Sequence, residues 1–266
     1  MMTTARRVIP LAFLLTIGSI NALAAYDDDD IAPPCNLPAD PARIQYVIAY
    51  DSRMQAAWRE RTAPHAGVAE PVTVSGYQRG WYTRSKGTRL GATYLGVVPD
   101  AASSLNAVMY RMDAVDLAAT DRRERLYCRV HILPAAIKLL APGKTTITNA
   151  QLWIYEIPAG EATAADEDHP IAQSYVDVFL AGCLEQEERY KLRDFAVQCV
   201  RTTTGWSAHW VNDRLYPGHP SMFQPRALQI DRLLAAEVPS YWVQTRSVQS
   251  YWSRLPLKGG KPGITH

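Results

Sequence analysis

The chain has 266 residues, 47% of them hydrophobic and 20% charged, with 15 glycines, 18 prolines and four cysteines. That balance excludes collagen-like, low-complexity and intrinsically disordered chains and leaves enough apolar residues for a sizeable core. Lys+Arg of 28 against Asp+Glu of 26 gives a net charge of +2, so no strong field points to nucleic acid as a partner.

In chain order, Arg6 and Arg7 precede an apolar run over 8–20 that ends in Asn21-Ala22-Leu23-Ala24-Ala25. Two positive charges, a short apolar stretch and small residues at the cleavage position predict a secretory signal peptide over 1–24. The run is shorter than the roughly 18 residues a membrane span needs. The expectation is therefore a periplasmic or secreted protein with no stable membrane insertion after cleavage. Loss of Arg6 and Arg7 brings the mature chain close to neutral.

Export changes how the cysteines read. Cys35, Cys128, Cys183 and Cys199 allow three connectivities, and an oxidising compartment favours two bridges. Cys183 and Cys199 sit on consecutive helical segments and are expected to pair, leaving Cys35 with Cys128; buried free thiols are the alternative. No C-x-x-C pair is present, which argues against a structural zinc site.

Residues 25–42 hold Asp27 to Asp30 and four prolines and read as a solvated lead-in tethered at Cys35. Strands are predicted over 44–50, 72–78, 91–98, 105–112, 127–133 and 151–157, with turns at Pro99-Asp100 and Pro142-Gly143. A short helix is predicted over 116–126. Residues 159–168 read as a loop, and helical spacing follows from Ile171 to Gly182, over 190–200 and over 226–236. The tail over 256–266 is expected to be loose. Strands followed by helices imply one α+β domain over 43–255, with a compact sheet or barrel over 43–158 and a helical extension over 159–255.

Nucleophile-elbow, P-loop, dinucleotide and H-E-x-x-H motifs are absent, and the six histidines show no compact metal-ligand spacing. No metal and no cofactor are expected. Cys128 and His131, three apart on a strand, face opposite sides of a sheet and do not form a thiol–imidazole pair. Trp206, Trp210, Trp242 and Trp252 lie in the last quarter, where they pack a core or, alternatively, offer an aromatic platform to a sugar or peptide. Asp213 and Arg214 read as an ion pair.

What remains is an ordered series. Tyr50-Asp51-Ser52-Arg53 follows the first strand, then come Gly76 to Trp81, Thr93 to Pro99 and Leu105 to Tyr110, and Asp121-Arg122-Arg123-Glu124 precedes Tyr127. With Gln173-Ser174-Tyr175-Val176-Asp177 and Gly182 downstream, the series resembles the γ-glutamylcyclotransferase/AIG2-like superfamily over roughly residues 43–190. That resemblance implies a small mixed β-barrel with helices outside and a cavity at one end. It also implies release of 5-oxoproline from a small γ-glutamyl amide or peptide, without a cofactor. Glu124 matches the catalytic acid/base, Tyr50, Asp51, Ser52 and Arg53 match the substrate loop, and Tyr127 is a candidate for the pocket wall. Asp51 stands where the family has glycine and Arg53 where it has Asn or Leu. The alternatives are a non-catalytic binding protein on the same fold, or an envelope interaction module using the C-terminal aromatics.

Overall fold

A computed structural model describes residues 35–85, 91–141, 147–214 and 226–247. The signal peptide, most of the lead-in, the Pro142-Gly143 turn, Trp252 and the tail lie outside the described residues. All of the described residues belong to one compact unit, Ala32–His266.

The apolar, β-branched run after Arg43 forms β1 (Ile44–Ala49), a strand flanked on both edges within the sheet. It pairs antiparallel with the end of β3 (Thr93–Arg111) and parallel with β6 (Ala150–Glu156). Strand β4 (Cys128–His131) adds antiparallel to β6. Strand β2 (Glu70–Arg84) runs antiparallel along β3 and carries β5 (Ile137–Leu139) and β8 (Thr203–Thr204) on its other edge. The short β7 (Ile171–Ala172), β9 (Trp210–Asn212) and β10 (Arg246–Ser247) extend the sheet beyond β3. The barrel implied by the resemblance is not formed among the described residues. The path β10-β9-β7-β3-β1-β6-β4 ends at β4, and β5 and β8 occupy the edge of β2 on which a barrel would close. The architecture is an open mixed sheet with helices, an α+β fold.

The strands predicted over 91–98 and 105–112 are one 19-residue strand rather than two strands and a turn. Both halves pair with the same partner: Ser75 faces Ser104 and Tyr77 faces Pro99. Only Gly76, at φ 87°, stands opposite residues 100–103, so the turn chemistry of Pro99-Asp100 produces a bulge instead of a chain reversal. Asp100 secures that bulge by accepting from the Ser103 hydroxyl and the Ala102 amide.

Helices α1 (Ala56–Thr62), α2 (Ala114–Arg123), α3 (Gln173–Tyr190), α4 (Phe195–Arg201), α5 (Ala227–Glu237) and α6 (Pro239–Trp242) complete the fold. Helix α2 stops at Arg123, three residues before its predicted end. The helix predicted over 190–200 begins only at Phe195, because Lys191 and Asp194 take left-handed backbone angles between α3 and α4. Disulfides join Cys35 to Cys128 and Cys183 to Cys199. No helix among the described residues is long and apolar enough to cross a membrane.

The platform reading of the late tryptophans is overturned for those described. Trp206 and Trp210 are buried and stack at 5.2 Å, with Trp81 against one and Trp242 against the other. They fill the space between the sheet and the C-terminal helices, as large aromatics do when apolar area is available to cover them. Asp213 and Arg214 do not pair with each other either. Asp213 accepts from the Ser174 amide and hydroxyl at the start of α3, while Arg214 bridges Asp177 and Asp231 at 2.7 Å each. Neighbours in sequence on an extended segment point apart, so each side chain finds a different helix.

Candidate functional site

The end of β1 delivers Tyr50 into the core, where its hydroxyl donates to the Tyr155 carbonyl. Its own carbonyl accepts from the buried Arg79 guanidinium at 3.2 Å. Burial, then the nearby Tyr127 and Asp51, hold the Tyr50 phenol well above its ordinary pKa, so it is a fixed donor and not a base.

The next residue caps a single 3-10 turn over Ser52–Met54. Asp51 has φ −122°, an extended angle open to any residue, so glycine is not required here. Its carboxylate accepts from the Arg53 amide at 3.0 Å and from the Arg53 Nε and Nη2 at 3.0 and 2.8 Å. The Asp51 charge is thus neutralised two residues away by a bidentate fork. Ser52 is buried within the same turn.

Arg53 is 2% exposed, with Nη1 turned away from Asp51. Nη1 lies 3.5 Å from Oε1 of Glu124 and has no hydrogen-bond partner, while the guanidinium sits 5.1 Å above the Tyr155 ring. Burial works to lower the Arg53 pKa, and the carboxylates of Asp51 and Glu124 outweigh it and raise it. Glu124 is the C-cap of α2: its amide donates to the Thr120 carbonyl, and its carbonyl accepts from the Tyr127 amide at 2.9 Å. The early end of α2 therefore turns Glu124 inward toward Arg53. The side chain keeps 13% of its surface exposed and is also met by Arg123 at 3.1 Å, whose own side chain is 36% exposed.

Tyr127 donates to the Leu95 carbonyl at 2.8 Å. Burial and then the Glu124 charge hold its phenol above its ordinary range. The structure thus brings Tyr50, Asp51, Ser52, Arg53, Glu124 and Tyr127 to one locus between the end of β1 and the end of α2. Three further tyrosines belong to it. Tyr155 carries Arg53 on its ring and donates to Asp121 at 2.7 Å, and Asp121 also holds Arg129 at 2.8 Å. Tyr175 on α3 is buried, and Asp51, Tyr127, Tyr50 and Glu124 add to burial in raising its pKa. Tyr110 is buried with an unpartnered hydroxyl, and burial raises its pKa although the Arg53 charge opposes the rise. Tyr110 closes one of the motifs in the ordered series, whereas no sequence motif pointed to Tyr155. A cavity of about 380 Å³ lined by Thr83, Arg84, Leu126, Glu161 and His169 opens beside Leu126, next to Tyr127 in the chain.

One group of possible metal ligands comes together among the described residues: His65, Asp113 and Asp116, whose ligand atoms lie within 4.8 Å of one another. It sits at the far end of α2 from Glu124 and spends its donors and acceptors internally. Asp113 caps the helix by accepting from the Asp116 amide, and Asp116 accepts from the His65 amide. Residues 51 apart in sequence make it, so no spacing motif could have shown it.

No family model matches the chain, and no curated protein does. Similar solved structures include a protein titled gamma-glutamyl cyclotransferase, with 10% identity, 73% of this chain and 99% of that one covered, and a TM-score of 0.42. A yeast gamma-glutamyl cyclotransferase specific to glutathione has 11% identity, covers 60% and 97% of the two chains, and gives a TM-score of 0.36. A mouse AIG2-like protein has 15% identity, covers 48% and 92%, and gives 0.29. The solved structures to which this chain is similar thus include gamma-glutamyl cyclotransferases and an AIG2-like protein.

Proposed function

We propose that the chain is an exported enzyme that releases 5-oxoproline from a small γ-glutamyl amide or peptide. The observation that carries this reading is the Arg53–Glu124 pair. A buried guanidinium with an unused donor faces a partly open carboxylate at 3.5 Å, the opposed charges that the zwitterionic end of a γ-glutamyl compound needs. The ordered motif series in the sequence supports the same assignment.

In the proposed reaction Arg53 Nη1 receives the substrate α-carboxylate, with Asp51 and the Tyr155 ring fixing the fork. Glu124 takes a proton from the α-ammonium. The freed amine attacks the γ-carbonyl, a C–N bond closes the five-membered ring, and the original amide C–N bond breaks. Glu124 returns that proton to the departing nitrogen, and the second proton lost from the ring nitrogen leaves with the product amine as its ammonium form. Nucleophile and electrophile belong to one molecule, so holding it folded supplies most of the catalysis, on the order of 7–11 kcal/mol of barrier. Proton transfer by a positioned carboxylate adds about 10²–10⁴-fold. Export rests on the basic-apolar leader, and the two disulfides accord with an oxidising compartment.

A second reading, binding without turnover, is favoured by the bidentate Asp51–Arg53 lock, which fills the loop that in the family presents backbone amides. The experiment incubates the mature protein with γ-glutamyl dipeptides, γ-glutamylamines and glutathione and measures 5-oxoproline. Release that Glu124→Gln lowers by about 10²-fold or more supports the enzyme. Absence of product across the panel, or equal product from the variant, overturns it, and saturable binding without product establishes the second reading.

A further inference from the structure

Cys35 is exposed, whereas Cys128 is 3% exposed within β4. Both line a cavity of about 220 Å³ with Val98, Pro99, Ile157 and Glu156. Cys128 and Glu156 are directly opposed partners on β4 and β6 and therefore share a face of the sheet. Glu156 is 5% exposed, in walls that are otherwise almost wholly apolar.

We propose that Cys35–Cys128 is a redox-active disulfide that exchanges with a small aliphatic thiol admitted to this cavity. The incoming thiolate attacks the accessible Cys35 sulfur, a new S–S bond forms there, and the Cys35–Cys128 bond breaks with Cys128 as leaving thiolate. Glu156 supplies the proton that neutralises that thiolate. A second thiolate then releases Cys35 and departs as the oxidised disulfide, so two thiols are oxidised as the protein bridge is reduced. Burial raises the Glu156 pKa, and the hydrogen bond from Tyr77 opposes that rise. The bridge is not the only tether of its segment. The Asn36 amide donates to the Arg129 carbonyl, the Arg129 amide to the Asn36 side chain, and the Arg129 guanidinium to the Leu37 carbonyl. With the sulfur–sulfur bond open, these contacts keep the two cysteines together for reoxidation.

The second disulfide is the internal control, since Cys183 and Cys199 are both fully buried. The folded mature protein is exposed to β-mercaptoethanol, quenched with iodoacetamide and mapped by mass spectrometry. The proposal expects a mixed disulfide on Cys35 with Cys128 free. It expects opening about tenfold or more faster than for Cys183–Cys199, slowed about tenfold by Glu156→Gln. Equal opening of the two bridges in the unsubstituted protein, adducts on Cys128 instead of Cys35, or an unchanged rate in Glu156→Gln each overturn it.

Discussion

Arg79 is wholly buried, and none of its hydrogen-bond partners is a carboxylate. Its guanidinium donates to the carbonyls of Tyr50, Asn106 and Cys199 and to Thr202, Thr203 and the Asn106 side chain, and it lies 4.8 Å from the centre of the Phe179 ring. Burial lowers its basicity despite nearby Tyr50 and Asp51. One residue thus ties the end of β1, just before the Ser52–Met54 turn, to α4. Arg79→Met leaves three buried carbonyls short of a donor and is expected to cost about 3–5 kcal/mol in urea unfolding. From its local sequence Arg79 looks like any polar residue in a strand; its role exists only because four elements converge on it.

Glu156 gives a pH prediction at the same scale. Burial raises its native pKa above the unfolded value of about 4.3, so the folded state holds the proton more tightly. Its contribution is present below about pH 4 and is lost as pH rises through the native pKa. Glu156→Gln is therefore expected to raise the melting temperature at neutral pH and to converge with the parent protein in acid, as thermal denaturation across pH reads out.

Among the elements, α3 packs closely against the Ser52–Met54 turn. A Cβ on Gly182 would stand 2.4 Å from the Gln55 amide nitrogen and 2.6 Å from the Met54 carbonyl carbon. Alanine is the better helix former by about 1 kcal/mol, but backbone in its path cannot yield as a side chain can. Gly182→Ala is expected to destabilise by about 1–3 kcal/mol in denaturant titration and, by displacing the turn, to weaken ligand binding at Arg53. The helix-period pattern made α3 legible, and the glycine stood out in the motif series. That it packs against the Ser52–Met54 turn was not legible, because 127 residues separate Gly182 from Gln55. Glu124 shows the complementary case: its position was legible, yet the charge run around it reads as a solvated helix face. Only the early end of α2 turns it inward.

For the whole molecule, the covalent links hold distant parts of the chain together. Cys35 and Cys128 are 93 residues apart, and Cys183 and Cys199 are 16. Replacing both members of the Cys183–Cys199 pair with alanine is expected to cost about 3 kcal/mol by loop entropy, measured as the urea midpoint under oxidising conditions. The same replacement at Cys35 and Cys128 is expected to cost no more, despite the larger loop. Three hydrogen bonds between residues 36–37 and Arg129 survive the loss of the bridge.

By itself the sequence determined the α+β class, most strands, the helices that follow Ile171 among the described residues and the ordered motifs that nominate Glu124 and the Tyr50–Arg53 loop. Those are properties of local periodicity, turn chemistry and residue order. The tertiary structure decided that the sheet stays open among the described residues, that one strand replaces two and that Trp206 and Trp210 are core. It also decided that Asp51, in the place of a glycine, holds Arg53 against Glu124. Each of these depends on which edges and side chains meet across large sequence separations, and local preference carries no information about such meetings.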